Sequence, residues 1–306
     1  MSLVHAKGRA AAGDSAREND RAHAGNSTHA NLKSFRMSKV QLVATYAVLV
    51  VAAVAVGFPI LFSLSLSFTP LTDIINGIYV PTSLYLDNYV HAFEAQPFLK
   101  FIFNSIVVGV VGTALQIVFA MTAAYALVFI PFGGKRIIFM LVMATMMIPP
   151  EVLIISNFQT VRAWNLLNTF AGLILPGLAT TFGIFLYRQN MMQIPGELKE
   201  ASDVAGLGSW QFFRRVVVPM VKNTTVTLAI YFFLVTWNAY LWPLLSTTDD
   251  TVRTVQIGLR QLSSTEGVSD FGMMAAGAVI TSIPTLLLIF FGQKRLQEGM
   301  TKGALK

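Results

Sequence analysis

The sequence predicts an all-α membrane protein with six transmembrane helices and both termini on the cytoplasmic side. The chain is 54% hydrophobic and only 12% charged, whereas soluble domains carry about a quarter charged residues. It contains six apolar stretches, each close to the roughly 20 residues that a helix needs to cross the hydrocarbon core. Basic residues are also distributed unevenly between the segments that connect these stretches, as the positive-inside rule describes for membrane proteins.

The six stretches are expected to be helices, because lipid offers no partner for unpaired backbone groups. They are residues 40–66, 101–130, 137–157, 166–187, 223–245 and 271–292. The first starts too late and is too long for a cleavable signal peptide. Pro149 and Pro150 lie in the third stretch and remove two backbone donors, so a break or kink is predicted there.

Small residues recur in the second and sixth stretches and predict close packing between helices. They are Gly109, Gly112, Ala120, Ala123 and Ala124 in the second, and Gly272, Ala275, Ala276 and Gly277 in the sixth.

The basic residues assign the orientation. The N-terminal segment holds 7, the Lys135-Arg136 turn 2, the 188–222 segment 5 and the tail after Gly292 4, so 18 of the 22 fall on one side. Cytoplasmic loops carry the excess of Lys and Arg, which places both termini in the cytoplasm. The net charge of +7 is therefore explained by topology and not by nucleic-acid binding.

Residues 1–36 form a separate region in this interpretation, followed by a transmembrane domain over residues 37–306. The first region is rich in Ala, Gly, Asn, Ser and charge without apolar periodicity, which predicts a disordered cytoplasmic tail.

Catalytic and cofactor sites are not expected. The chain has no cysteine, and none of its four histidines lies in an apolar stretch. No Gly-x-x-x-x-Gly-Lys-Ser/Thr phosphate loop and no Ser/His/Asp or metal-ligand grouping occurs. We therefore expect a chain that binds no cofactor or metal and does not hydrolyse ATP itself.

The 188–222 segment contains the start and stop signals of a short helix. Pro195 suits a first turn, and acidic Glu197, Glu200 and Asp203 favour the N-terminal half. Gly206 is a natural stop signal.

A second short helix is predicted to follow, with Ser209 as its N-cap. It displays Trp210, Phe212 and Phe213, which would be unfavourable in water, so we expect them to pack against something. The residues alone leave two interpretations open: helices that lie at the membrane interface, or an element that docks a partner.

The same segment resembles the coupling motif of ABC importer permeases. That motif reads Glu-Ala-Ala, three residues, Gly, nine residues, Ile-x-Leu-Pro, and here Glu200-Ala201-Ser202, Gly206 and the run that ends at Pro219 keep its spacing. Ser202 replaces the second alanine, and Ala205 stands where an aspartate usually precedes the glycine. A polar contact made by that aspartate would be missing here.

The resemblance extends over residues 40–306 to the carbohydrate-uptake branch of this family, in which the second permeases of glycerol-3-phosphate importers are similar. It includes residues 147–152, 166–176 and 236–245. The resemblance implies a permease for a sugar, an oligosaccharide or glycerol-3-phosphate in the bacterial inner membrane. It also implies a second, different permease, an ATPase dimer that binds ATP and Mg, and an extracytoplasmic solute-binding protein.

For the contact with the ATPase, the resemblance implies one set of residues. They are Glu200, Ala201, Ser202, Gly206, Trp210, Phe212 and Pro219.

Two polar features inside the spans are candidates for the translocation path. Glu151 is the only acidic residue within a predicted span, where a charge usually faces protein or water; it either lines the path or is a structural carboxylate. Asn238 is flanked by Trp237, Tyr240 and Trp242. This group suits hydrogen bonding and stacking to a sugar, or else an aromatic belt at the outer interface.

One alternative function is an ion-gradient-driven secondary transporter that uses Glu151 as a proton or cation site. The 188–222 segment argues against it, since such a carrier has no need of a helix pair that receives an ATPase.

Overall fold

The computed structural model describes residues 38–263 and 270–301, with side chains described up to Gln293. Within these residues the secondary structure is entirely helical, which confirms the all-α prediction. The predicted tail, residues 1–36, lies outside the described residues. In chain order the α-helices are α1 Lys39–Ser67, α2 Leu71–Ile75, α3 Asp87–Ala95, α4 Phe98–Phe129, α5 Lys135–Thr145, α6 Ile154–Ala163, α7 Phe170–Ile174, α8 Thr181–Met191, α9 Gly196–Val204, α10 Ser209–Phe212, α11 Val218–Met220, α12 Lys222–Trp237, α13 Leu241–Ser246, α14 Val255–Leu262 and α15 Phe271–Thr301.

Three of these helices, α1, α4 and α15, are long and apolar enough to cross a membrane. Three further pairs of helical segments pass the same test together but are bent at a short break, so the described residues contain three candidate spans, or up to six if each bent pair is one span. The prolines at 149 and 150 mark the sharpest bend, 90° between α5 and Pro150–Ala163. The break predicted from these prolines is confirmed.

The other two bends were not predicted. Phe170–Gly177 meets Thr181–Met191 at 51°, and Ser209–Met220 meets Lys222–Trp237 at 73°. In the first, Pro176 and Gly177 form a short 3₁₀ turn with Leu175, and the backbone turns again before Thr180 caps α8 through its hydroxyl.

The fifth stretch ends earlier than predicted. Its helix, α12, stops at Trp237 instead of continuing to residue 245, and a separate short helix, α13, begins at Leu241. Pro243 lies in the first turn of α13, where its missing N–H costs nothing, whereas in a continuous helix its ring would clash with the carbonyl of Ala239. This placement corrects the predicted boundary.

Of the described residues, 61–263 and 270–301 form one compact unit, and residues 38–60 belong to another. In the larger unit, α4 contributes to a buried apolar cluster near each of its ends. Towards its C-terminus, Ala120, Met121, Ala124 and Tyr125 pack with residues of α8, the 188–222 segment and α12. Towards its N-terminus, Phe98 and Phe101 pack with Ala92, Trp237, Val255 and Leu262.

The small residues permit this close packing. A Cβ on Gly109 would lie 2.7 Å from a ring carbon of Phe233, and one on Gly277 would lie 2.6 Å from a methyl carbon of Leu262. Both are closer than real Cβ contacts allow. The predicted role of small residues in helix packing is therefore confirmed at these positions.

Candidate functional site

Gly206 ends the first helix of the 188–222 segment through a Schellman motif. The N–H of Leu207 donates to the carbonyl of Ser202 at 2.9 Å, and the N–H of Gly206 donates to that of Asp203 at 3.0 Å. This pair of bonds requires a left-handed residue after the helix, and Gly206 has φ +72°. The helix stop predicted at Gly206 is confirmed. Glycine suits this position because residues with a side chain rarely adopt this backbone conformation.

The second helix begins one residue earlier than the predicted cap implies. Ser209 is the first residue of α10, and Gly208 occupies the N-cap position without a side-chain hydrogen bond. The chain then passes through a π-helical turn, Phe213–Val217, into α11. Pro219 lies in α11 near its start and is exposed, where its missing N–H is tolerated.

Two of the three aromatic side chains on this helix are buried in the chain's own core. Phe212 is 0% exposed and Phe213 is also buried. The Phe212 ring lies 5.3 Å from that of Phe129 and the Phe213 ring 4.9 Å from that of Tyr125, centroid to centroid. The expectation that these aromatics pack is right, but they pack on α4. This corrects the prediction for Phe212, because a fully buried ring cannot contact an ATPase.

One further contact holds the helix pair on α4, and another joins its two helices. The hydroxyl of Tyr125 donates to the carbonyl of Ser209 at 2.8 Å. The ammonium of Lys199 lies 5.5 Å from the centroid of Phe212, which links the first helix to the second. Tyr125 and Phe129 were not predicted from sequence, because they lie far from the segment along the chain; two aromatics spaced i, i+4 at the end of a span were the available signal.

The helix pair exposes large apolar side chains that nothing in this chain covers. Val204 is 91% exposed and Trp210 is 67% exposed, and Leu198 is also exposed. Glu200 and Ala201 are exposed beside them. Large apolar side chains exposed within one short segment mark it as a candidate interaction site.

Ser202, which replaces the second alanine of the motif, points inward. It is buried, and its hydroxyl donates to the carbonyl of Lys199 at 2.9 Å. Ala205, at the other departure, is the exposed C-cap residue of α9. Serine at 202 is therefore accommodated inside the fold, while the missing aspartate would have faced outward.

Glu151 lies at the 90° break, in the short 3₁₀ helix Pro150–Leu153, and is exposed. The N-cap positions of that helix and of α6 are Pro149 and Leu153, and neither makes a side-chain cap bond. Across residues 38–263 and 270–301, the structure gives the Glu151 carboxylate no ion pair. Nothing within these residues therefore engages Glu151 as a cap.

The predicted aromatic group around Asn238 is not brought together. Trp237 is only 1% exposed, stacks on Phe233 and donates its indole N–H to the carbonyl of Thr281 at 3.1 Å. This is a correction, because an indole enclosed by its own chain has no face to offer a sugar. Asn238 is exposed and donates its amide N–H to the carbonyl of Leu234 at 2.8 Å.

The side chains of Tyr240 and Trp242 lie in different surroundings. Tyr240 lines a largely apolar cavity of about 550 Å³ together with Gln256, Arg260 and Phe271. Trp242 instead donates its indole N–H to the carbonyl of Gly172 at 3.2 Å. These four neighbours in sequence therefore do not form one binding site within this chain.

In the part of the chain that the structure describes, no group of three or more His, Cys, Asp or Glu side chains is placed to hold a metal ion.

Sequence comparison identifies relatives over most of the chain. An arabinooligosaccharide transport system permease protein, AraQ, from Halalkalibacterium halodurans is 32% identical over 261 residues, covering 84% of this chain and 93% of the relative. The sn-glycerol-3-phosphate transport system permease protein UgpE from Yersinia enterocolitica is 33% identical over 208 residues, covering 68% and 74%. The trehalose transport system permease protein SugB from Mycobacterium tuberculosis is 31% identical over 251 residues, covering 81% and 92%.

The fold is shared with a solved transporter. A chain from the crystal structure of a bacterial ABC transporter involved in the import of the acidic polysaccharide alginate superposes with a TM-score of 0.77 at 22% identity, covering 84% of this chain and 98% of that one. A second crystal structure, a bacterial alginate ABC transporter in complex with alginate pentasaccharide-bound periplasmic protein, superposes with a TM-score of 0.59 at 14% identity, covering 82% and 91%.

The family itself is identified by a family model. Residues 116–302, which include the 188–222 segment, match that of the binding-protein-dependent transport system inner membrane component. Together with relatives above 30% identity across most of the chain, this match shows that the chain belongs to the family of binding-protein-dependent transport system inner membrane components.

Proposed function

We propose that this chain is one of two different permeases in an ATP-driven importer of a carbohydrate or carbohydrate-like solute. The observation that carries the proposal is the 188–222 segment, which exposes Val204 and Trp210 and is anchored on α4 through its two phenylalanines. The family is defined by dependence on a binding protein, which argues against an ion-gradient-driven carrier.

The coupling role rests on how the segment is built. Val204 and Trp210 are exposed next to Glu200 and Ala201, so a groove on an ATPase would meet a mixed apolar and acidic surface. Phe212 is buried against α4, so it transmits displacement to the spans and does not touch the ATPase. Ser202 and Gly206 fix the backbone of the first helix, and Pro219 lies in α11, beyond the second.

The partners follow from this role. Two ATPase subunits bind ATP and Mg and dock on the exposed face of the segment, and an extracytoplasmic binding protein delivers solute to the opposite side. The second permease completes a path of which this chain forms half. The named solutes of the relatives support a carbohydrate cargo: arabinooligosaccharides, trehalose and sn-glycerol-3-phosphate.

The membrane arrangement in this proposal has six spans in the bacterial inner membrane, with both termini cytoplasmic. The first two bent helix pairs then each count as one span, and of the third pair only Lys222–Trp237 crosses the membrane, because Ser209–Met220 belongs to the cytoplasmic 188–222 segment. The excess of basic residues on the side of the 188–222 segment supports this orientation.

Within the path we keep Glu151, Asn238, Tyr240 and Trp242 as proposed contacts. Glu151 is the most direct of these, because it is exposed at a break in a span, and non-helical backbone at membrane depth is tolerated only against protein or water.

Affinity purification tests the assembly. The chain, tagged at its C-terminus and extracted from its native membrane in mild detergent, should co-purify with an ATPase and a second, different permease. Recovery of the chain alone, with the ATPase remaining in a separate fraction, would contradict the proposal.

A further inference from the structure

The helices α5 and α8 lie antiparallel and carry basic side chains at the same end. The hydroxyl of Thr145, where α5 ends, shares a 2.7 Å hydrogen bond with the hydroxyl of Thr181, where α8 begins. Towards the other end of both helices, the guanidinium carbon of Arg188 lies 4.0 Å from the centroid of the Phe139 ring. Arg188 is therefore held on the surface of α5 by an aromatic face, an arrangement that a guanidinium adopts readily.

Two further cations begin α5 at this end. Lys135 and Arg136 are its first two residues, and Phe139 follows each of them by about one helical turn, on the same side of the helix. The ammonium of Lys135 lies 5.4 Å from the centroid of Phe132 and donates to the carbonyl of Val128 at 3.4 Å. An ammonium has three N–H groups, so this bond leaves two for other acceptors.

The three cations have no carboxylate partner in residues 38–263 and 270–301. The ion pairs found there, Lys199–Asp203 and Arg253–Asp250, involve other basic residues. Arg136 is exposed and Arg188 is half-buried, so both can be reached from outside. Like charges placed close together repel one another, and an anion from outside this part of the chain would relieve that repulsion.

An apolar face continues along α5 from these cations. Ile137, Met140 and Leu141 are spaced i, i+3 and i+4, so they share one side of the helix, and they are 63%, 60% and 64% exposed. Arg136 lies on this side as well, one turn before Met140. A cation above an exposed apolar helix face matches the two parts of a phospholipid, a phosphate above acyl chains.

We propose that Lys135, Arg136 and Arg188 bind the headgroup of an anionic phospholipid of the cytoplasmic leaflet, whose acyl chains lie along the apolar face of α5. The site relies on the proposed orientation, which places this end of α5 in the cytoplasm, and does not depend on the transported solute. A zwitterionic headgroup carries its own positive charge, which the three cations would repel. The site should therefore select phosphatidylglycerol over phosphatidylcholine.

The test uses the full-length chain, purified in detergent with the subunits that co-purify with it. Native mass spectrometry measures the binding of two probes, dioctanoyl phosphatidylglycerol and dioctanoyl phosphatidylcholine. Arg188→Gln and Lys135→Gln each remove one cation, whereas Phe139→Leu removes the ring beneath Arg188 and leaves the charge unchanged. Lys39→Gln is the matched control, because Lys39 is an exposed cation at the start of another proposed span, α1.

Wild-type protein should bind phosphatidylglycerol more tightly than phosphatidylcholine. Arg188→Gln and Lys135→Gln should each weaken the binding of phosphatidylglycerol by about 5-fold, the effect of one cation at an anionic lipid surface. Phe139→Leu should weaken it by about 2- to 5-fold, because the guanidinium loses the face that holds it. Lys39→Gln should bind phosphatidylglycerol as wild type does.

Four results would overturn the proposal. Equal binding of the two lipids by wild type would refute a site for an anionic headgroup. An equal loss in Lys39→Gln, with Phe139→Leu unchanged, would leave only the general attraction between basic residues and anionic lipid. Displacement of phosphatidylglycerol by inorganic phosphate would indicate a site for free anions instead of lipid. Loss of a co-purifying subunit from Arg188→Gln, with lipid binding unchanged, would assign the cations to a protein partner.

Discussion

Replacing Gly206 with valine should uncouple ATP hydrolysis from transport without unfolding the chain. Gly206 holds φ +72°, and a Cβ there would meet no atom within 4 Å, so the effect would come from the backbone and not from a steric clash. A left-handed conformation costs an L-residue about 1–2 kcal/mol, and a β-branched residue is among the least tolerant. That cost shifts a conformational equilibrium by a factor of about 5–30 away from the Schellman end of α9.

The matched control is Gly208→Val. Gly208 is also exposed and also free of atoms within 4 Å of a Cβ, but its φ of −65° and ψ of 161° suit any residue. Gly206→Asn provides a graded intermediate, because asparagine tolerates the left-handed region better than other side chains. The order of defects should be Gly206→Val, then Gly206→Asn, with Gly208→Val close to wild type.

The assay compares three quantities in the assembled importer: membrane abundance, retention of the ATPase on purification, and uptake per ATP hydrolysed under stimulation by the binding protein. We expect near-normal abundance in all variants and a lower transport yield in Gly206→Val. Equal stimulated hydrolysis and equal uptake in Gly206→Val and Gly208→Val would refute the reasoning, because the left-handed residue would then have no part in coupling.

Three other predictions concern the segment, the topology and the break. Phe212→Ala should lower the free energy of unfolding by about 3–5 kcal/mol, as expected for a buried phenylalanine. Trp210→Ala should change the free energy of unfolding by less than about 0.5 kcal/mol and should instead weaken retention of the ATPase. The reverse pattern would contradict a buried Phe212 and an exposed Trp210. Reporter fusions after Lys306 and within residues 246–270 should report opposite sides of the membrane, and a common side would exclude six spans. Glu151→Gln should leave the complex assembled and alter uptake, because the described part of the chain gives this carboxylate no ion pair; failure to assemble would indicate a structural role instead.

Much of the architecture could be predicted because its signals are local. Two consecutive prolines, 149 and 150, were sufficient to predict the 90° break. Gly206 was identified as a helix stop because a residue with no Cβ is the usual choice after a Schellman end.

The boundaries that were missed also have local explanations. Pro176-Gly177 and Pro243 are turn signals, but each lies inside an apolar run, and the length of that run dominated the prediction. Helices α3 and α14 are short segments outside the apolar stretches, so a search for spans passes over them.

The orientation of the aromatic side chains could not be predicted. Trp210, Phe212 and Phe213 lie within four consecutive residues. The two that turn inward pack on Tyr125 and Phe129 of α4, and local periodicity does not report such contacts. The same limit applies to Trp237, whose partner carbonyl at Thr281 lies on a different helix.

Uptake by reconstituted proteoliposomes tests the central claim most directly. Vesicles that contain this chain, its partner permease and the ATPase should accumulate solute only with ATP inside and the loaded binding protein outside, and an imposed proton or sodium gradient should not replace ATP. Gradient-driven uptake by vesicles that contain this chain alone would contradict the account.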